Sequence, residues 1–580
     1  MTYSGVNRST SGLTAEDNYY GEGQEAYQSE LRQSSISPEV SEFLYNLLEQ
    51  ILFTTQEEVQ DKQRKGELSR LYDNYFYLSD KYYQLYRWPT VEEVSRHLNI
   101  DSEIEGWQIS IFRRLYSELF IRHSLELSES KAPAPFSYSD YCDSMDIYLG
   151  LFNLLLNECK EPLNFDLPSQ WIWDIINGFL KHHESFLIWR SQVKKRSLKE
   201  RQLLRDSDNL WTVELVLNAL NTLIKFSNIN EQLEAYHKTK DPEAAKEAGN
   251  KYGRQPLYRN LGYFSLFALL KLHTQLGDFH EGLLSVKNIR ITHQTLTRMT
   301  IPLSAINLVY NMGFCYFMMR RYLDVIRVFS EITQLTQSWS LGQGSISGEQ
   351  IMKIQVELIV NKCNKILAFI TPLIPQNFDD KTTKSLSRIT TLNEAISTFR
   401  LEELRDYFYQ CCPQFLPTTT PDYDNLVDQS ESCVEHQWEV FLSDYIPQMF
   451  IPRVRGYLKF YASLPLSKLA EFLASEYAEF SQEQVEKYMI PNDIERLRSF
   501  LMCYKHKMYS PVWMGDSPLE GMHRSANDLE FYLDGDMIHI VERKKRDQTY
   551  EESFVDEILK LRDLRSQIIK PNQSFHQAQY

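Results

Sequence analysis

Glycine and proline are scarce in this chain, with 21 of each in 580 residues. A loop-rich β fold draws on both for its turns, so long helices are expected instead. No run of about 18 or more apolar residues occurs, so no segment is expected to span a bilayer. Met1–Ile36 holds no apolar core segment, so no signal peptide is expected there. The eight cysteines (Cys142, Cys159, Cys315, Cys363, Cys411, Cys412, Cys433 and Cys503) form no Cys-x-x-Cys pair. The spacing typical of zinc sites is therefore missing, and reduced cytosolic thiols are the expected state. Positive charge is also short: 62 Lys and Arg stand against 78 Asp and Glu, a formal net charge of −16. Nucleic-acid affinity depends on cations displacing phosphate counterions, so only a local patch could bind RNA. The same sign argues against an anionic membrane surface.

Catalytic patterns are absent as well. There is no Gly-x-x-x-x-Gly-Lys phosphate loop and no His-Glu-x-x-His helix. Gly342, Gly344 and Gly348 lack a preceding strand, and the third glycine comes one residue late for a dinucleotide turn, so a loop is expected. His182 and His183 are adjacent and point to different faces of a helix; His273 and His280 fall on either side of a helix break. Packed or surface roles are expected for all four. No catalytic residue, cofactor or metal is expected.

What the chain does contain is aromatic residues, 35 Tyr and 31 Phe, and one amphipathic stretch after another. At 580 residues it is too long for one compact core, so several domains or a repeat array are expected. Residues 1–36 are polar, acidic and without periodicity, a disordered head. Residues 37–250 form an N-terminal helical region. It opens at Ser37-Pro38-Glu39, with Val40, Phe43, Leu44, Leu47, Leu48 and Ile51 on one stripe. Trp107–Leu127, Tyr138–Leu156 and Trp211–Phe226 read as helices. Trp171 and Trp173 lie two apart on different faces, so their helix is expected to be buried on more than one side. The basic stretch Val193–Arg205 reads as a solvated helix or linker, and Lys238–Asn250 as a loop.

Residues 251–445 hold a helical-repeat part. An offset of 43 residues aligns Leu266 with Val309, Leu269 with Met312, Leu272 with Cys315, Phe279 with Tyr322 and Leu283 with Ile326. Each unit reads as a helix, a tight turn and a second helix, as in tetratricopeptide-like solenoids. Gly277 suits the left-handed residue that ends a helix, and Asp278 with Glu281 suits a capping box. The second unit has Arg320-Arg321 there instead, so its turn chemistry differs. Helices are also expected at Gln350–Ile370, Leu392–Leu404 and Val434–Leu442, with Phe415–Pro421 extended between the last two.

Residues 446–545 read as a winged helix. Val454, Tyr457, Leu458, Tyr461 and Ala462 give one apolar helix face; Leu466, Leu469, Ala470 and Leu473 give a second. A third helix carries Ile494, Leu497, Leu501, Tyr504 and Met508, with Asn492 and Glu495 as its expected capping box. Leu529, Phe531 and Leu533 then alternate with polar positions, Asp534-Gly535 suits a type I′ turn, and Met537–Val541 returns. Residues 546–580 form a C-terminal helix and tail, with Phe554, Ile558, Leu561 and Ile568 on one stripe that Arg565 interrupts. That helix either docks back on the winged helix or bundles with partner helices. Arg496, Arg498, Lys505, His506 and Lys507 make a basic set on the third helix. Given the acidic chain, a solvated or protein-facing surface is favoured over RNA contact by Arg496, Arg498, Lys505 and Lys507.

The overall order (helical repeats, winged helix, tail helix) resembles the PCI domain shared by the proteasome lid, the signalosome and translation initiation factor 3. The stretches Leu167–Ile176, Ser227–Tyr236, Leu261–Leu266, Met318–Tyr322, Pro421–Asn425, Tyr504–Met508 and Asp536–Ile540 are similar, in the same order, to the subunit L family of eukaryotic initiation factor 3. Ser475–Pro491 is longer than that family suggests, and Lys381–Glu403 matches poorly. The resemblance implies a mainly α, non-catalytic cytoplasmic scaffold within a PCI/MPN core. Subunit K would be its neighbour, with the small ribosomal subunit reached through the complex that helps recruit initiator tRNA and mRNA. Phe531, Ile538 and Ile540 on the wing and Ile558 and Leu561 on the tail are the expected interface residues. The alternatives are a scaffold of a proteasome-lid or signalosome type and a direct RNA-binding winged helix.

Overall fold

In a computed structural model of the chain, the described residues are 36–53, 70–71, 74–75, 78, 87–98, 107–130, 136–158, 162–163, 166–207, 209–290, 301–340, 348–374, 390–424, 432–477, 486–488, 490–507, 509–513, 517–525, 529–541, 554, 557–558, 561–562 and 564–565. The head through residue 35, the glycine-rich stretch 342–347, Met508 and Ile568 lie outside them. The architecture is mainly α, with a small antiparallel sheet near the C-terminal end. No helix among the described residues is long and apolar enough to cross a membrane.

The N-terminal helices are α1 (Pro38–Phe53), α2 (Val91–His97), α3 (Trp107–Ser130), α4 (Tyr138–Asn153), α5 (Ser169–Ser191), α6 (Leu198–Asp206) and α7 (Val213–Ser227). Their starts are chemically explicit. Thr90 with Glu93, Ser137 with Asp140, and Ser197 with Glu200 each close a reciprocal capping box. The stripe on α1 is buried as expected, with Val40, Phe43, Leu44, Leu47 and Ile51 inside. α5 is buried on several sides: Trp171 stacks on Tyr75 at 4.9 Å, while Trp173 meets Phe264 edge-on at 5.5 Å. Burying side chains of this size contributes about 1.5–3 kcal/mol each. One polar knot sits in this core. Glu118 accepts from Arg122 Nε at 2.8 Å, from Tyr148 at 3.2 Å and from Trp171 Nε1 at 3.4 Å.

Then come α8 (Ile229–Thr239), α9 (Pro242–Ala248), α10 (Pro256–Leu276), α11 (Phe279–Ser285), α12 (Pro302–Met318) and α13 (Tyr322–Ser340). The loop expected at Lys238–Asn250 is thus largely helix α9. Asp241 accepts from Glu243 N, and Pro242 occupies the first helical turn. The 43-residue repeat is a real pair of stacked hairpins, α10–α11 and α12–α13, and the aligned Leu266, Val309, Leu269, Met312, Leu272 and Cys315 are all buried. One detail differs from expectation. Asp278 makes no side-chain cap bond; its carboxylate lies 3.8 Å from His273 Nδ1. The second turn differs in residue type, as expected, but keeps the same backbone form: Arg320 takes φ +61°, beside +87° at Gly277.

The array continues with α14 (Gly348–Ile370), α15 (Thr390–Ser397), α16 (Leu401–Cys411) and α17 (Ser432–Met449). The single helix expected over Leu392–Leu404 is two. Phe399 adopts φ +51° and the Arg400 N–H donates to Ala395 O at 3.0 Å, ending α15 the way a Schellman turn ends a helix.

The winged helix is built from α18 (Ile451–Phe460), β1 (Ser463–Pro465), α19 (Leu466–Tyr477), α20 (Ile494–Lys507), the ribbon β2 (Tyr509–Val512) with β3 (Met522–Ser525), and the hairpin β4 (Glu530–Asp534) with β5 (Met537–Val541). Its core is separate from the main one and contains Val454, Leu458, Leu469, Leu473, Leu497, Leu501 and Tyr504. α18 stops at Phe460, so Tyr461 and Ala462 leave the expected stripe and are exposed. The chain there enters β1, a strand the alternation did not reveal because it is only three residues long. β1 pairs with β5, giving the order β1-β5-β4. α20 begins at Ile494, so Asn492 precedes the cap position, and its Oδ1 accepts from Arg496 instead.

The hairpin turn is Gly535-Asp536, because Asp534 pairs with Met537. Gly535 has φ +54° and Asp536 is not in the left-handed region, the pattern of a type II′ turn. Either register keeps Phe531 and Ile538 on one face, so alternation could not separate them. The glycine falls at the first loop position, where II′ needs it.

Candidate protein interface

The wing residues expected at an interface divide by position. Phe531 is buried and stacks on Tyr504 at 6.0 Å; Ile538 is fully buried opposite Leu464. Both side chains pack in the winged-helix core and help hold the domain together, and Phe531 also lines the groove beside α20. Ile540 is half-buried against the same core, and its N–H donates to Ala462 O at 3.0 Å. The outward wing face instead carries Tyr532, stacked on His539 at 5.0 Å, and Val541. β4 is the outer strand of this sheet.

The basic set on α20 is mostly used inside the domain. Arg498 donates to Gly535 O at 2.8 Å and pairs with Asp536 at 2.5 Å. Lys505 Nζ donates to Phe531 O at 3.2 Å, and Arg496 bonds Asn492. Only the side chain of Lys507 lies outside the described residues. Arg498 and Lys505 therefore hold helix and wing together, while the Arg496 bond stays at the start of the helix. Between them runs a groove of about 610 Å³, lined by Met502, His506, Tyr509, Tyr532 and the bonded Arg498 and Lys505.

The tail is different. Residues 554, 557–558, 561–562 and 564–565 are helical, and Phe554, Ile558, Leu561 and Leu564 are all exposed, Ile558 by 61% and Leu561 by 64%. At spacings of four and three residues these side chains share one face. An apolar stripe of that length facing solvent is costly. Sequence reasoning missed a further exposed aromatic, Phe460, at 85%. It lies off the stripe of α18, and apolar residues off a predicted stripe are the signal that finds such positions.

His280 is exposed, whereas the adjacent pair in α5 is packed. His182 and His183 are both fully buried in α5, against Tyr148, Phe136 and Trp211. Burial lowers His182 to about 4, with its Nδ1 placed 2.9 Å from Gly178 O. Burial lowers His183 to about 3, aided by the Arg190 charge. Both are neutral near pH 7. Among the described residues no group of three or more His, Cys, Asp and Glu side chains is placed to hold a metal.

A family model described as RNA polymerase I-associated factor PAF67 matches residues 140–561. A protein of Nematostella vectensis is 32% identical over 553 residues, covering 94% of this chain and 95% of that protein. One of Aedes aegypti is 34% identical over 505 residues, covering 86% and 88%. One of Drosophila melanogaster is 33% identical over 507 residues, covering 86% and 87%. All three carry the name eukaryotic translation initiation factor 3 subunit L.

Proposed function

This chain belongs to the subunit L family of eukaryotic translation initiation factor 3, and from that membership we propose that it is a non-catalytic cytoplasmic scaffold of the initiation factor 3 complex. In this reading the chain joins other PCI subunits, subunit K among them, and supports recruitment of initiator tRNA and mRNA to the small ribosomal subunit. The observation that carries it is the contrast at the C-terminal end. The winged helix has a complete core of its own, yet the apolar stripe at Phe554, Ile558, Leu561 and Leu564 is left in water. Helices of sister subunits are the natural cover for a stripe with this spacing. The groove cations Arg498 and Lys505 are satisfied within the domain, which favours this reading over direct RNA binding.

Mass spectrometry of proteins that co-purify with the tagged full chain tests it. Initiation factor 3 subunits together with small-subunit ribosomal proteins are expected. Recovery of proteasome-lid or signalosome subunits instead, or of a solitary chain, would refute it.

A further inference from the structure

Two segments that belong to the winged helix in sequence are built into the main core in space. Trp513 follows the strand β2 and is buried among the residues of the helical array, away from the winged-helix core. Its N–H donates to Asp324 Oδ1 at 2.8 Å, and its carbonyl accepts from Arg327 Nη1, whose guanidinium lies 5.0 Å from the indole centre. Five residues on, Pro518 O accepts from Tyr316 OH at 2.8 Å, and Leu519 O accepts from Arg321 Nη1 at 2.9 Å. Arg321 and Asp324 are both buried and bonded to each other through Nε at 2.7 Å. All the repeat-side groups come from α12, α13 and the turn between them, the second hairpin of the repeat. The other segment is the long connection between α19 and α20. There Tyr488 and Ile490 are buried in the main core, and Lys487 Nζ reaches Glu439 at 3.3 Å.

We propose that Trp513 and the Pro518-Leu519 pair act as a strap that fixes the bearing of the winged helix on the helical repeats, so that wing and repeat meet partners as one rigid surface. A winged helix needs neither connection for its own core, which α18, α19, α20 and the hairpin complete. The hydrogen bonds span 186 to 202 residues of sequence, so they serve the relation between the two parts and not local turn formation. The strap is gripped through its backbone: Trp513 N–H and three carbonyls. Those bonds come from the side chains of the repeat, Tyr316, Arg321, Asp324 and Arg327, and the buried Trp513 indole adds its packing.

The test uses the full chain carrying Tyr316→Phe with Arg327→Ala. The first removes one hydroxyl at constant ring volume; the second removes an exposed cation, so both cores keep their packing. Hydrogen exchange should accelerate about tenfold or more at residues 509–513 and 517–525, the effect of losing two bonds to buried backbone. Protection at Phe314 and Leu501, one in each core, should not change. Spin labels at Leu358 on α14 and Tyr532 on the wing should report a broadened distance distribution. Asp324→Ala should enlarge both effects. Unchanged exchange in the strap, an unchanged narrow distance in the double variant, or loss of protection throughout both cores would each overturn the proposal.

Discussion

Gly277 and Arg320 stand 43 residues apart and perform the same backbone task. Each ends the first helix of its hairpin in the left-handed region, at φ +87° and +61°. Asp278 N donates to His273 O at 2.9 Å, and Arg321 N donates to Tyr316 O, also at 2.9 Å. The repeat therefore lives in the hydrogen-bond pattern and not in the residue type. Glycine reaches this region freely, whereas an L side chain costs about 1–2 kcal/mol. Gly277→Ala is expected to lower stability by about 1 kcal/mol or more in urea unfolding. Arg320→Gly is expected to stay within about 0.5 kcal/mol. It relieves strain but loses the half-exposed pair with Asp444 and loosens the unfolded chain.

Glu118 is the hub of the N-terminal core. Removing it by Glu118→Ala takes the buried Arg122 guanidinium's 2.8 Å carboxylate partner away, with Tyr75 and the more distant Asp174 still beside it. Breaking a buried pair in this way costs about 3–5 kcal/mol. Urea unfolding followed by tryptophan fluorescence should show a loss of that size, since Trp171 packs in the same knot.

Acid should weaken the same region. His182 and His183 have folded values of about 4 and 3, below the ordinary value of 6.5. Between pH 6.5 and 4 the unfolded chain binds those protons and the folded chain does not, so stability falls as pH falls. Asp174 works the other way: burial raises it to about 6, against the pull of Arg122, so the folded state takes up its proton first on acidification. Two histidines against one carboxyl leave a net loss of about 1.4 kcal/mol per pH unit over roughly pH 6 to 4. His183→Met should flatten that slope in denaturant midpoints measured across the range; an unchanged slope would contradict the assignment.

The α20 cations should matter to the wing more than to RNA. Replacing Arg498 by Ala removes its bonds to Gly535 and Asp536, and the exposed pair is worth under about 1 kcal/mol. A small drop in stability is expected. RNA retention by the isolated chain should be weak and nearly flat between roughly 50 and 200 mM salt. A steep salt slope that disappears on reversing Arg496, Arg498, Lys505 and Lys507 would favour the nucleic-acid reading.

Much of the fold could be read from periodicity alone. The stripe on α1, the repeat hairpins and the three winged helices all bury residues at helical spacing, and that spacing is visible in one dimension. What was not legible depends on the third. Phe399 ends a helix in a conformation no aromatic residue advertises, and β1 is too short to alternate. The glycine of Gly535-Asp536 fits two hairpin registers that bury the same side chains. Phe531 and Ile538 illustrate the limit for the site. Strand alternation says they share an apolar face, but only packing against Tyr504 and Leu464 decides that the face belongs to the domain's own core. Ile558 and Leu561 have the same kind of pattern and the opposite outcome.

The most direct measurement of the account is co-purification of the full chain carrying Ile558→Asp and Leu561→Asp. Both side chains are already in water, so the variant should keep wild-type circular dichroism and unfolding midpoint. It should nonetheless be lost from the initiation factor 3 assembly. Incorporation at the wild-type level would contradict the role given to the tail.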